Sequence, residues 1–568
     1  MLIFLNIIIQ CRLNSTFALQ IYDFHMDIDP ITPPKKYNVF LPIILSFVLV
    51  LGIWLGYFLN KRISTGSGIR ENYHSSTNEK INSLLDYIEY QYVDTINKKN
   101  LVEKTVTAML QSLDPHSSYI AASEFEAVNE PLEGNFDGIG VEFNIIKDTI
   151  RVIAPIAGGP SEKIGIRAGD RLVKVEGKNM AGVNITNKEV FEKLRGKSGT
   201  IVKVAVLRSG VSKLLEFNIT RGAIPLYSLD AAYMLDPTIG YIKISKFAAT
   251  TYQEYLKAFN DLSKKGMTKL VLDLRGNPGG YLNAAVDISD EFLANGLQIV
   301  YTQGKANPKK TYKATQHGSF ENNPLVILID EGSASASEIV AGAVQDNDRG
   351  TIIGRRSFGK GLVQDQLQLP DGSAIRLTIA RYYTPTGRCI QKPYSEDKDE
   401  YYNEEYDRYQ HGELLNQDSI KLDKTKQYKT PEGKTVYGGG GIMPDVFVPI
   451  DTTKTNTFLN KVFYTGVINT FAFEYADNNR TQLKTYGSAL KFINDFEVSA
   501  AILEEFYAYC AGQKLTLDNT ALKGKTNEAL KPYLKAFIGR DVFDKDAYYP
   551  IINKKDKCIL KAVEVLSK

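Results

Sequence analysis

The sequence predicts a multidomain protein of mixed α+β and α/β class, and three observations carry that prediction. Between residues 269 and 383, short apolar runs alternate with stretches of helical periodicity, the βαβ pattern of a mostly parallel sheet with helices packed on it. On either side the pattern turns helical. Leu84, Leu85, Ile88 and Tyr92, then Leu101, Val102, Val106, Met109 and Leu110, fall at helical spacing, and 451–568 reads as a helical C-terminal extension. The third observation is size and balance: 568 residues, 43% apolar and 23% charged, with a net charge of +3, fit several ordinary globular domains. That balance gives no reason to expect nucleic acid or an acidic partner.

In chain order, 1–38 reads as a short cytosolic leader, and Met26-Asp-Ile-Asp-Pro30 looks a cleaner natural start than Met1. Residues 39–59 give 21 positions without a charge, enough to span a bilayer as a helix. Lys35-Lys36 precede this run and Lys61-Arg62 follow it, so the positive-inside signal is nearly balanced. No small-x-small site follows closely, which argues against a cleaved signal peptide and for a membrane-anchor helix. A polar linker, 60–77, leads to an N-terminal helical region, 78–133, whose two helices end at Asp114-Pro-His116. Residues 134–222 contain the Gly-bracketed run Gly138-Ile-Gly-Val-Glu-Phe143 and read as a small β-domain.

The core spans 223–450. Strands are expected at 269–274, 325–330 and 351–353, and helices over 282–293 and from Ser335 onward. A hairpin of 362–369 and 374–383 turns at Pro370-Asp-Gly372. An acidic, Tyr-rich insertion, 393–427 and densest over 396–423, is expected to loop out, and 441–449 closes the core. No chemistry is legible in 451–568.

The candidate chemistry lies in two segments, Glu331-Gly-Ser-Ala-Ser-Ala-Ser-Glu-Ile339 and Phe358-Gly-Lys-Gly-Leu-Val-Gln364. The first sets Ser335 at the mouth of a helix, just after an apolar strand. The second supplies Lys360 in a Gly-flanked turn and Gln364 four residues later. A serine needs a base to become a nucleophile, and a desolvated lysine of lowered pKa serves where no histidine is at hand. Ser335-Ala-Ser-Glu338 is also a capping box, and the two readings are compatible, because a helix N-terminus stabilises an oxyanion. The five histidines offer little else. His25, His74 and His411 lie in leader, linker and insertion, His317 in a polar loop, and His116 in a turn where local backbone bonding is the default. A Ser–His–Asp triad is therefore poorly supported. Gly354-Arg-Arg-Ser-Phe-Gly-Lys-Gly361 nearly spells a phosphate loop, but it lacks the final hydroxyl and runs into a strand, so no nucleotide site follows.

Together with Asp273-Leu-Arg-Gly-Asn-Pro-Gly-Gly280, these segments resemble the C-terminal processing (tail-specific) peptidases, over about two thirds of the chain (78–449). The resemblance implies a ClpP/crotonase-like α/β peptidase core with Ser335 as nucleophile, Lys360 as general base and Gln364 orienting the lysine. The backbone N–H groups of Ala336 and of Gly279 or Gly280 would form the oxyanion hole. It implies no cofactor and no metal. It also implies a single-pass inner-membrane protein with its catalytic part on the extracytoplasmic side, and it is compatible with an oligomer.

Residues 134–222 resemble a PDZ domain, through the Gly-bracketed loop and Arg167-Ala-Gly-Asp-Arg-Leu172. In that fold Gly138, Ile139, Gly140 and Val141 would offer backbone N–H groups to a peptide's terminal carboxylate, and Ile139 and Val141 would flank a pocket for an apolar last residue. The expected partners are proteins with exposed apolar C-termini. An inactive PDZ scaffold is the alternative of a different class. Among Cys11, Cys389, Cys510 and Cys558 no metal spacing occurs, and Cys510–Cys558 is the favoured pair if the exterior is oxidising.

Overall fold

The structure, a computed structural model, describes residues 40–63, 77–395, 398–452, 456–517 and 523–568. It divides into two compact units, Met1–Ile96 and Asn97–Lys568. The described elements of the first unit are two helices, Phe40–Ile63 and Thr77–Gln91. The expected anchor coincides with the 24-residue helix Phe40–Ile63. Val39, the side chains at 41, 42, 44, 45 and 56–63, and the suggested start at Met26 lie outside the described residues. Among the described residues no helix is long and apolar enough to cross a membrane, so the anchor reading draws no support from the fold.

At the centre of the second unit is a six-stranded sheet ordered Leu229–Met234, Ile239–Ile244, Lys269–Asp273, Leu325–Ile329, Thr351–Gly354, Val446–Phe447. The first two strands are antiparallel and all later neighbours are parallel. Parallel strands joined by crossovers must bury both faces, and alternation along each strand accomplishes this. Leu270, Leu272, Ile327 and Ile329 face helices Thr251–Lys264, Leu282–Asp290 and Ala336–Asp346. Val271, Val326, Leu328 and Ile353 face the other way, against Cys558, Ile559, Ala562 and Leu566 of helix Lys557–Leu566. The expected helix over 282–293 stops at Asp290. Phe292 and Leu293 are buried beyond its end and continue the core without helical backbone.

A second, antiparallel sheet carries the expected hairpin, Leu362–Gln368 against Ala374–Tyr383. The long strand also pairs with Ser118–Ile120 and Gln298–Gln303. The small domain has a sheet ordered Val141–Ile145, Ile150–Pro155, Arg171–Val175, Ile201–Leu207, Leu215–Thr220. Its helix Asn187–Leu194 begins with a full Thr186/Glu189 capping box. The chain enters and leaves this domain through one antiparallel pair, Asn135–Gly138 with Gly222–Pro225.

Helices from Thr457–Tyr464 to Lys545–Asn553 close around Phe471, Phe492, Phe506, Leu530 and Leu534. Phe473 of this bundle packs on Ile146 and Ile153 of the small domain, and Asp477 lies 3.8 Å from Arg151.

Two expectations are corrected. The insertion does not loop out. It forms helix Lys398–Gln410, which packs inward because Tyr401 and Arg408 have partners in the core and are 3% and 4% exposed. Cys510 and Cys558 are free thiols, because Cys510 sits in the helical bundle and Cys558 beneath the central sheet.

Candidate active site

Three neighbouring parallel strands end on the same side of the sheet and deliver three loops. Strand Lys269–Asp273 leads to the Gly-rich turn 276–280, strand Leu325–Ile329 to Ser335, and strand Thr351–Gly354 to Lys360. This is where open α/β sheets place their sites.

Ser335 stands just before helix Ala336–Asp346, all of whose residues are buried. Its backbone, at φ 55° and ψ −112°, lies in a region that non-glycine residues avoid. Such a turn persists only where its surroundings hold it, and the groups holding it are visible. The Ser335 N–H donates to Glu338 Oε2 at 2.8 Å, completing the carboxylate half of the expected capping box. The Glu338 N–H goes to the Ser335 carbonyl at 2.9 Å. On the other side the Gly-rich turn presses against the Ser335 segment. A Cβ on Gly279 would lie 2.8 Å from Ser335 Cβ, and one on Gly280 would lie 2.0 Å from the Phe247 carbonyl. Asn277, fully buried, ties the two segments together. Its carbonyl accepts from the Ala334 N–H at 3.0 Å and the Ser337 hydroxyl at 2.9 Å, and its side-chain oxygen accepts the Gly279 N–H at 2.8 Å. The turn is anchored below by Asp273, which bonds Arg275 and Tyr241. Burial opposes the Asp273 charge, but Arg275 and Lys243 outweigh it and hold the carboxyl well below the usual range.

Glu338 reaches the lysine loop as well. Its carboxylate accepts the Ser357 hydroxyl at 2.5 Å, the Gly359 N–H at 2.8 Å and the Lys360 N–H at 2.9 Å. Burial pushes this carboxyl up, while those donors and the Ser335 N–H pull it back. A second group spans the same gap from the acceptor side. The buried Tyr382 hydroxyl lies 2.7 Å from the Lys360 carbonyl and 3.1 Å from the Ser335 carbonyl.

The Lys360 ammonium donates to Gln364 Oε1 at 3.1 Å, and Gln364 Nε2 donates to the His116 carbonyl at 2.5 Å. Burial pushes the Lys360 pKa below that of ordinary lysine. Arg376 adds to the effect, and Glu338 and Asp114 oppose it. The structure thus joins Lys360 to Gln364 by their side chains and to Ser335 through Glu338 and Tyr382. The Lys360 side chain bonds Gln364 rather than the Ser335 hydroxyl, a contact that commonly tightens only when substrate is bound.

His116 makes the expected local bond, its N–H to Asp114 Oδ1 at 2.8 Å. Unexpectedly, it also lies beside the lysine, with Nε2 2.8 Å from the Tyr401 hydroxyl. Burial, then the Lys360 charge, pushes its pKa down to about 4, so the ring is neutral at physiological pH. In the small domain the Ile139 carbonyl accepts from the Ser161 N–H and hydroxyl, and Gly140 has φ +72°. Gly138 is paired with Gly222 at the neck, and Val141 opens the edge strand. Ile139, at 3% exposure, is part of the domain core rather than standing free beside a pocket, because its side chain packs with Val152 and Val190.

A family model described as Peptidase family S41 matches residues 238–398, and one described as PDZ domain matches 151–208. Residues 458–544 match a family of unknown function, DUF8443. The carboxy-terminal-processing protease of Bartonella bacilliformis is 38% identical over 350 residues, which cover 60% of this chain and 79% of that protein. The chain belongs to peptidase family S41. Carboxy-terminal processing protease CtpA of Bacillus subtilis is 34% identical over 353 residues, 61% of this chain and 75% of that one. The solved photosystem II D1 C-terminal processing protease is 27% identical with a TM-score of 0.34, covering 66% and 87% of the two chains. This S41 peptidase is accordingly a serine-type protease with a PDZ domain.

Tyr382 is the residue of this S41 peptidase whose removal tests the two-sided clamp most cleanly. Tyr382→Phe should cost about 1 kcal/mol of stability, the worth of an ordinary hydrogen bond. It should lower kcat roughly ten- to a hundredfold with little change in KM, because small misplacements of reacting groups are expensive. Steady-state kinetics beside a urea melt would separate the two effects.

Proposed function

We propose that this protein is a membrane-anchored serine endopeptidase that recognises protein C-termini through its PDZ domain and cleaves near them with a Ser335–Lys360 pair. The observation that carries the reading is the double tie between the two residues, Glu338 on their N–H groups and Tyr382 on their carbonyls. In the proposed reaction the Ser335 hydroxyl oxygen bonds to the scissile carbonyl carbon while its proton passes to neutral Lys360. The lysine then returns the proton to the leaving amine as the C–N bond breaks, and water releases the acyl group by the same route. Gln364 holds the amine by its 3.1 Å bond. For the oxyanion, Ala336 and Gly280 are the better pair. Ala336 opens a helix and its N–H has no intrahelical partner, whereas the Gly279 N–H is already given to Asn277.

Ser335→Ala and Lys360→Ala should each abolish proteolysis with melting curves close to that of the parent. The parent's rate should rise with pH through a pKa below the ordinary lysine value, since only the neutral amine accepts a proton. Full turnover by Lys360→Ala at neutral pH would sink the pair.

For recognition, Gly138, Ile139, Gly140 and Val141 are proposed to bind the terminal carboxylate, with Val141 opening an edge strand on which a peptide could add. Hydrogen bonds to a charged group are worth about 1.5–3 kcal/mol. Amidating the C-terminus of an unstructured peptide should therefore slow its cleavage at low concentration by roughly ten- to a hundredfold. Equal rates for acid and amide would remove the tail-reading part of the proposal.

Anchoring by 39–59, with the peptidase on the extracytoplasmic side, rests on the uncharged run of the sequence. The full chain should sediment with membranes after carbonate washing, and a chain lacking 39–59 should not.

A further inference from the structure

The insertion helix Lys398–Gln410 has no place in the chemistry just described, yet its buried side chains reach both supports of Lys360. The first support is the backbone of the lysine loop. Glu338 holds the N–H groups of Gly359 and Lys360, whereas the carbonyls of Arg356, Ser357 and Phe358, just before them in the loop, accept from the insertion. There the Arg408 guanidinium gathers three in succession: Arg356 at 3.5 Å and Ser357 at 2.9 Å through one terminal nitrogen, and Phe358 at 3.2 Å through the other. Its Nε donates to Glu404 at 2.7 Å, one helical turn back. Only a rigid fork with five donors meets that set of acceptors, and a lysine does not.

The second support is the turn that holds Gln364 through the His116 carbonyl. The same helix fixes this turn with three contacts. Lys398 donates to the Asp114 carbonyl at 3.3 Å, Tyr402 to the Pro115 carbonyl at 2.5 Å, and the Tyr401 hydroxyl lies 2.8 Å from His116 Nε2. Lys392, 3% exposed, seals the join. Its ammonium lies 4.1 Å from the ring centres of both Phe358 and Tyr401 and donates to Glu404 at 2.9 Å. Burying these charges is costly unless they are paired, and Glu404 pairs with Arg356, Lys392 and Arg408 while Glu413 pairs with Arg356.

We propose that the insertion helix is the positioning element for Lys360, with Arg408 setting the lysine's backbone and Tyr401 setting the turn that holds its partner Gln364. The proposal rests on the reading of Lys360 as general base. Neither residue touches substrate, and both act through Lys360. A helix that merely added stability would have no reason to grip both the loop bearing the amine and the turn bearing its hydrogen-bond partner.

The test is a pair of variants of the full chain, Arg408→Lys and Tyr401→Phe. The first keeps the charge and loses the fork. The second keeps the ring and loses the hydroxyl. The substrate is a fluorogenic unstructured peptide with a free apolar C-terminus, assayed across pH with melting curves alongside. Each variant should lose roughly tenfold or more in kcat, with KM within about twofold. The ascending limb of the pH–rate profile should also move to higher pH. A loosened loop admits water to Lys360, and the surrounding charges of Arg376, Glu338 and Asp114 are then screened beside neutral His116. A purely structural role would lower the rate at every pH in step with the folded fraction and leave that limb in place. That result, or a kcat within about twofold of the parent, would overturn the proposal. If Arg408→Lys fails to fold, the isosteric Tyr401→Phe decides alone. Failure of the underlying reading appears separately, as turnover by Lys360→Ala.

Discussion

The carboxylate of Glu338 has no exposed surface and, among the described residues, no cation bonded to it, and it accepts four hydrogen bonds from two segments that the sheet would otherwise leave independent. Burying a carboxylate is expensive, so this arrangement persists only because every acceptor position is used and a helix N-terminus lies beside it. The strained backbone of Ser335 and the turn carrying Lys360 are both consequences of that one side chain's demands. Tyr382 then closes the same gap from the carbonyl side, so the spacing between the two backbones is set by two rigid groups.

The central sheet makes this economy possible. Three adjacent parallel strands end together, and each contributes one loop: the glycines that permit close approach, the serine, and the lysine. Because the strands are buried on both faces, the loops start from fixed points. The remaining freedom lies in the loops themselves, which is where Asn277, Glu338 and Arg408 act.

Much of this was legible in the sequence, and the reason is local. Apolar runs of five residues bounded by glycine read as strands, and the serine and lysine motifs carry their own turns. The structure differs where the deciding contact is distant in the chain. Tyr382 lies in a strand whose pattern announces a hairpin and says nothing of its hydroxyl. Asn277 is one letter in a turn motif, yet its side-chain oxygen engages the Gly279 N–H and leaves that of Gly280 alone. The insertion, acidic and rich in tyrosine, has the composition of a solvated loop. Its Arg408 is the exception, and only the tertiary partners of Arg408 and of Lys392, just before the insertion, show that the helix packs inward. Ile139 sits in a Gly-bracketed run whose letters do not show where its side chain goes, and its neighbours place that side chain in the domain core.

Helix Lys557–Leu566 covers the middle strands on one face of the central sheet, yet it follows the last strand of that sheet, Val446–Phe447, only after the intervening helical bundle. A ribosome that has delivered every strand, the serine and the lysine has therefore still not delivered the cover for Val271, Val326, Leu328 and Ile353. Long-range closure of this kind is slow, and apolar surface waits in water while it happens. During synthesis the loops carrying Ser335 and Lys360 exist as sequence well before the sheet that aligns them is dry on both sides. The order of the chain thus leaves the serine and lysine loops on a half-covered sheet until helix Lys557–Leu566 has emerged.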